Sequence, residues 1–268
     1  MIMPKKFKKV YIEIGNICNL QCRFCPGTRR EPRQMSAKEF AQIVEQIKDY
    51  TEHIYLHLMG EPLLHPELAE ILKIARKAEL SVNVVTNGTL LESTGNALID
   101  GKIRRCAISL HCAECSENYL NSVFDFAEKA SRNGIITVLR LWVEGRDSEK
   151  YHAVISRFGE GTKTRNGLKF AEKLYLEFGE EFDWPDENAP ERKVGFCYGL
   201  RDQIGVLADG TVVPCCLDCD GTIALGNLFD RDLDFILSSP RAQAIIDGFS
   251  RRKPSEELCK HCGYAERF

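Results

Sequence analysis

The chain has 268 residues, 44% of them apolar and 28% charged, enough to bury a sizeable core and typical of a globular rather than a disordered protein. A net charge of −3 argues against binding nucleic acid through its phosphates, and no apolar run is long enough to span a bilayer. The opening MIMPKKFKKV has lysines but no apolar stretch behind them and so does not read as a secretory signal; the 12 cysteines, grouped as triplets and pairs, then suggest metal ligation in a reducing, cytoplasmic compartment rather than a disulfide framework.

Up to about residue 180, short β-like runs alternate with helical patterns. Strands are predicted at 10–14, 53–58, 81–86, 103–110, 135–143 and 173–178. Helices are predicted at 36–48, 66–78, 89–98, 116–133 (opening at SENY) and 147–158. Ser36 and Glu39 fit a capping box, in which a hydroxyl and a carboxylate satisfy each other's orphan amides. Six strands with a helix in each gap predict a parallel sheet with right-handed crossovers. Fewer than eight strands leave the barrel incomplete, so the expected α/β fold is a partial (β/α)6 TIM-type barrel, open on one side.

The stretch GEEFDWPDENAPERK, rich in acids and proline, reads as a linker. Beyond it, QIGVLADGTVVPCC reads as a hairpin turning at Asp209-Gly210. A helix is predicted at about 230–247, before the final LCKHCGYAERF. Two units follow from this, residues 1–180 and residues 181–268, the second small enough for a bound metal to help hold it together.

Side chains alternate across a strand, and the alternation separates two chemistries. Tyr55, His57 and Met59 oppose Ile54, Leu56 and Leu58, while Asn83 and Asn87 oppose Val82 and Val84. Ser109 and His111 oppose Ile108 and Leu110, and Arg140 and Trp142 oppose Leu139, Leu141 and Val143. The apolar sets suit packing under outer helices, which turns the polar sets inward, where a closed barrel would be filled by branched apolar residues. A wet interior cavity is therefore predicted.

Just after the first strand, Cys18, Cys22 and Cys25 fall on one loop. Structural zinc takes four protein ligands, and no fourth lies nearby. A [4Fe–4S] cube has four irons to ligate, so three thiolates leave one iron open. The spacing C-x3-C-x2-C, with MGEP at 59–62, TNG at 86–88 and ISLH at 108–111, resembles the radical S-adenosylmethionine (SAM) superfamily. The resemblance implies a SAM-bound [4Fe–4S] cluster and reductive cleavage of SAM to a 5′-deoxyadenosyl radical that abstracts hydrogen from a substrate. Carried onto this chain, it makes Cys18, Cys22 and Cys25 the cluster ligands and Phe24 the aromatic beside the adenine. Gly60, Glu61 and Pro62 become the segment that receives the SAM amino group, with Met59 in place of the usual first glycine. Asn87, Ser109 and Arg140 fall at strand ends where the family binds SAM. Ser109 as a plain strand residue and Arg140 as a surface ion-pair member are the structural alternatives.

Cys197, Gly210, Cys215 and the pair Cys259–Cys262 form the pattern C-x12-G-x4-C…C-x2-C, which resembles the twitch domain, a shortened relative of the SPASM domain. That implies an auxiliary [4Fe–4S] cluster with Cys197, Cys215, Cys259 and Cys262 as four ligands. Cys216 adjoins Cys215, although the glycine spacing favours Cys215, and a four-cysteine zinc site is the competing reading. Cys219 has no counterpart in the pattern, and Cys106, Cys112 and Cys115 read as ordinary thiols.

A fully ligated auxiliary cluster can accept an electron, relay electrons or brace the fold. The first role gives a net two-electron oxidation, as in radical SAM dehydrogenases with a twitch domain, and the chain size and cluster set are similar to the aminocyclitol dehydrogenase of that group. His57, His111 and Arg140 share inward parity and are the candidate catalytic residues, with a small molecule or a peptide as substrate and a flavodoxin or ferredoxin as reductant. Modification of a ribosomally made peptide is the runner-up, weakened by the lack of an added domain to grip a leader; RNA modification follows, and a zinc-stapled interaction protein is the non-enzymatic reading.

Overall fold

The computed structural model describes residues 7–111, 118–142, 146–192 and 196–268. The elements run β1 (Lys9–Ile12), α1 (Ala37–Ile47), β2 (His53–Tyr55), α2 (Leu68–Lys77), β3 (Ser81–Thr86), α3 (Leu91–Asp100), β4 (Arg105–Ser109), α4 (Tyr119–Arg132), β5 (Ile136–Leu141) and α5 (Glu149–Phe158). There follow β6 (Thr162–Thr164), β7 (Gly167–Ala171), β8 (Leu174–Phe178), β9 (Gln203–Val206), β10 (Thr211–Val213), β11 (Gly226–Asn227), α6 (Leu233–Leu237), α7 (Pro240–Ser250) and α8 (Glu257–Lys260).

One sheet carries the order β11-β10-β9-β1-β2-β3-β4-β5-β8-β7-β6. From β9 through β8 every pairing is parallel, and antiparallel strands finish both edges. The six predicted strands and the helices between them are all present, as a partial TIM-type barrel with a small C-terminal unit. The apolar sets predicted to face the helices are buried, although burial does not alternate strictly, since Asn83 and Val138 are buried too. Ile54, Val82, Val84, Ile108, Leu139 and Leu141 are buried, against Phe40, Ile43 and Ile47 of α1, Ile71 and Leu72 of α2 and Val123 and Phe124 of α4 in the same core. Each such side chain contributes roughly 1.5–3 kcal/mol when removed from water. The capping box at Ser36 is complete, with the Ser36 Oγ accepting from the Glu39 amide and the Glu39 carboxylate accepting from the Ser36 amide.

Three features depart from the sequence reading. The gap before β8 holds a hairpin, β6–β7, which turns at Arg165-Asn166 between the paired Thr164 and Gly167. Gly167 is obligatory there, because a Cβ would sit 1.9 Å from the Leu176 carbonyl oxygen on β8. The helix predicted at 230–247 is two helices, with Ser239 capping the second and Pro240 as its first residue. Finally, β9 does not stand apart in the second unit: it pairs in parallel with β1, so both units share one sheet. Cys112, Cys115, Ser116, Glu117 and Val143 lie outside the described residues.

Candidate functional site

The loop after β1 carries the three cysteines and is fastened on several sides. Gly15 bridges to Gln34, the Glu61 amide donates to the Ile17 carbonyl at 2.9 Å, and the Cys25 amide donates to the Cys22 carbonyl at 3.0 Å. Gly60, at φ +79°, lies so close to this loop that a Cβ would sit 2.3 Å from the Gly15 carbonyl oxygen. The Asn87 side chain reaches the Cys18 Sγ at 3.9 Å and the Asn19 Oδ1 at 2.9 Å. Burial pushes the Cys18 and Cys22 thiols up, and so do neighbouring acidic groups, Glu61 and Cys25 for Cys18 and the two other cysteines for Cys22. Three thiols that repel one another as thiolates on a partly exposed loop suit a cationic iron group placed among them. The donor set fits a cluster.

The carboxylate of Glu61 is committed within the protein. It accepts from the Leu63 amide at 3.0 Å, the Thr86 hydroxyl at 2.7 Å and the Asn87 amide at 2.7 Å, and so ties the 59–62 segment to the end of β3. Sequence reasoning missed a second buried carboxylate, Glu13. Arg30 Nη2 donates to both of its oxygens at 2.7 Å, and the Met59 and Ala208 amides donate to it at 3.2 and 3.1 Å. Arg30 Nε also reaches the Cys219 carbonyl at 2.8 Å. One ion pair thus joins the cysteine loop, the end of β2 and the C-terminal unit. The available signal was a charge inside the apolar run VYIEI.

Cys197, Cys215, Cys259 and Cys262 line one small cavity, together with Tyr264 and Phe249. Burial pushes all four thiols up; Cys216, Cys197 and Cys259 add to this at Cys215, and Cys197 and Cys262 at Cys259. The four thiols share this one cavity, and four cysteines are a donor set that can saturate a four-iron cluster. Cys216 faces the other way, hydrogen-bonded to Tyr11 beside Leu58 and Val213, because adjacent residues of an extended chain alternate. Cys219 faces a different cavity, of about 820 Å³, bordered by Phe24, Arg29 and Trp184. Cys106 is buried in the core under the helices.

Inside the barrel, the inward sets predicted from parity are in part half-buried, as residues facing a wet interior should be: Tyr55, His57, Asn87, Ser109, His111, Arg140 and Trp142. Met59 and Asn83 are buried instead, the latter donating to the Ile54 carbonyl at 3.1 Å. Ser109 pairs in register with Arg140, and Arg140 with Glu177. An aromatic row leads across the opening, with Phe24 edge-on to His111 at 4.9 Å, then Trp142, then Phe182, then Tyr264. Trp184 Nε1 donates to the Phe24 carbonyl at 3.0 Å. His57 packs edge-on against Tyr11 and Tyr55. Burial, with Arg140 and Lys9 adding, pulls His57 down to about 3, so its ring is neutral near pH 7 and a poor proton acceptor.

Residues 12–143 match the radical SAM superfamily, and residues 197–263 match an iron–sulfur cluster-binding domain, SPASM. The chain belongs to the radical SAM superfamily. This radical SAM protein is similar to a probable GTP 3′,8-cyclase of Methanocella arvoryzae, 22% identical over 87% of this chain and 89% of that one. It also matches the tungsten-containing aldehyde ferredoxin oxidoreductase cofactor-modifying protein of Pyrococcus furiosus, 32% identical over 31% of this chain but only 25% of that protein's length. Among solved structures, BtrN in complex with AdoMet and 2-DOIA superposes with a TM-score of 0.68 at 18% identity, covering 97% of this chain and 94% of BtrN. Streptococcus suis SuiB bound to S-adenosylmethionine superposes with a TM-score of 0.64 at 18% identity, covering 97% and 74%. These structural likenesses speak for the fold.

Membership implies iron–sulfur clusters and SAM for this radical SAM enzyme, and the cysteines such groups need are present. Among the described residues, no helix is long and apolar enough to cross a membrane.

Proposed function

We propose that this radical SAM enzyme oxidises an unactivated C–H position of its substrate, with Cys18, Cys22 and Cys25 holding the SAM-binding [4Fe–4S] cluster and Cys197, Cys215, Cys259 and Cys262 holding an auxiliary one. The observation that carries the reading is the pair of cysteine sets: a triplet on a partly exposed loop and a quartet lining one cavity. When bound, these groups supply a 5′-deoxyadenosyl radical for hydrogen abstraction and an acceptor for the electron the substrate then loses. The chain's own residues do the rest. Gly60, Glu61 and Pro62, bolted to the cysteine loop, present backbone to the SAM amino group, and Phe24 borders the adenine. Asn87, Ser109 and Arg140 stand at the ends of β3, β4 and β5 to orient SAM. The aromatic row from His111 through Trp142 narrows the opening and excludes water. His111 and Arg140 line the substrate space; His57, kept neutral, hydrogen-bonds rather than takes a proton. A flavodoxin or ferredoxin supplies the reducing electron. A peptide substrate is the second reading, favoured by the wide cavity beside Trp184.

Anaerobic reconstitution tests this. The chain should bind iron and sulfide near two cubes and, with SAM and dithionite, release 5′-deoxyadenosine. Cys22→Ala should lose roughly half the iron and all of the 5′-deoxyadenosine, whereas Cys215→Ala should lose roughly half the iron and Cys216→Ala none. Colourless protein that binds zinc would refute the assignment.

A further inference from the structure

A turn of the C-terminal unit, residues 218–223, clasps the loop that carries the cysteine triplet. Oδ1 of Asp220 accepts from the Thr28 hydroxyl at 2.7 Å and from the Arg29 amide at 2.8 Å, and Oδ2 accepts from Arg29 Nε at 2.9 Å. The Cys219 carbonyl accepts from Arg30 Nε at 2.8 Å and lies 3.2 Å from the Thr28 hydroxyl. That hydroxyl has one proton, and the nearer, charged Asp220 oxygen is its stronger acceptor. Along the chain, Pro26 and Gly27 alone separate Thr28 from Cys25, and four residues separate Asp220 from Cys215. The clasp is therefore a short covalent and hydrogen-bonded route between the two cysteine sets.

The turn is braced on the side of the quartet. Asp218 is buried, and its carboxylate accepts from the Thr222 and Ile223 amides at 2.9 and 2.8 Å, which closes the turn on itself. Asp218 and Ile223 line the quartet cavity together with Cys215. Arg241 donates to the Thr222 and Ala224 carbonyls at 3.3 and 3.0 Å, and to the two Glu256 oxygens at 2.9 and 2.7 Å. Glu256 stands three residues before Cys259, so both halves of the quartet bear on the turn.

Exposure decides which bonds carry the clasp. The Arg29 side chain is 87% exposed, so its ion pair with Asp220 contributes little. The half-buried Thr28 hydroxyl and the Arg29 amide converge on one oxygen, and that oxygen is what holds the loop. We propose that Asp220 is a positioning residue for the SAM site: it fixes the triplet loop to the C-terminal unit, so that filling the quartet tightens the binding of SAM at the triplet. The proposal rests on the radical SAM reading for what the two cysteine sets hold, and not for the clasp itself.

The test measures amide hydrogen exchange of residues 26–33 and SAM affinity in the full chain, reconstituted anaerobically. Asp220→Ala should keep the iron content of the wild type, speed that exchange about tenfold or more and weaken SAM binding about tenfold. Asp220→Asn, which keeps an oxygen for both donors, should recover most of each loss. Asp186→Asn, which neutralises an exposed acid on the wide cavity that Asp220 also borders, should change neither. Cys215→Ala should itself weaken SAM binding, and adding Asp220→Ala to it should weaken it no further, because both act through one route. Wild-type exchange and SAM affinity in Asp220→Ala would overturn the proposal, as would additive losses in the double variant or an equal loss in Asp186→Asn. Should Asp220→Ala fail to take up iron, Thr28→Val removes a donor from the other side of the clasp, and wild-type values in it would overturn the proposal equally. A wild type that binds no SAM, while its loop exchange still responds to Asp220→Ala, would place the failure in the radical SAM reading and not in the clasp.

Discussion

Glu13 is fully buried yet holds four hydrogen bonds, from Arg30 and from the amides of Met59 and Ala208. Burial pushes its carboxyl up although Arg30 pulls the other way. Removing one partner of such a pair leaves the other charge without compensation. Glu13→Ala should therefore cost about 3–5 kcal/mol, read from denaturant titration; a loss below about 1 kcal/mol would mean that Arg30 finds water instead. His57 gives a pH-dependent counterpart. Its ring stays neutral in the folded chain down to about 3, while an unperturbed histidine takes a proton near 6.5. Between these values the unfolded chain binds one more proton, so stability falls as the pH drops through 6.5 towards 3. Unfolding free energies at about pH 7 and about pH 5 should differ less in His57→Phe than in the wild type, by up to about 1.4 kcal/mol per pH unit. An equal pH slope in both would place His57 in water.

At the scale of elements, local signals were read well where the physics is local. The capping box at Ser36 needs only residues three apart, and it formed as predicted. The strand alternation was legible because period two separates a packed face from a wet one. The β6–β7 hairpin, turning at Arg165-Asn166, has no such clear local signal, and the need for Gly167 comes from its meeting Leu176 on β8. Gly60 shows the same split between motif and cause. Its positive φ and its contact with the Gly15 carbonyl come from the cysteine loop folding back onto the end of β2. Gly60→Ala should push that segment off the loop, lower the unfolding midpoint and weaken SAM binding about tenfold or more in protein still folded at the assay temperature; SAM titration of the reconstituted protein checks this. Unaltered SAM affinity would show that the segment does not depend on that contact.

For the whole molecule, the shared sheet matters most. β9 occupies the edge of β1 through four registered pairs, Lys9 to Gln203 through Ile12 to Val206. Ending the chain at residue 180 would bare that edge, orphan one side of Glu13 and expose Tyr11 and Leu58, which pack with Leu207 and Val213. The truncated core should aggregate on expression, as sedimentation would show; a monomeric, folded core would mean that β1 tolerates an open edge.

The amino-acid sequence alone determined the six core strands and the helices between them, most of the inward polar set, the cysteine triplet and quartet and, through them, the family, because each rests on short spacings or on periodicity. Only the tertiary structure decided that Cys215 and not Cys216 lines the cavity of the other three thiols, and that Arg30 pairs with Glu13. Those outcomes depend on which distant segments meet, and the spacing of residues along a chain carries no distance between segments that fold onto one another.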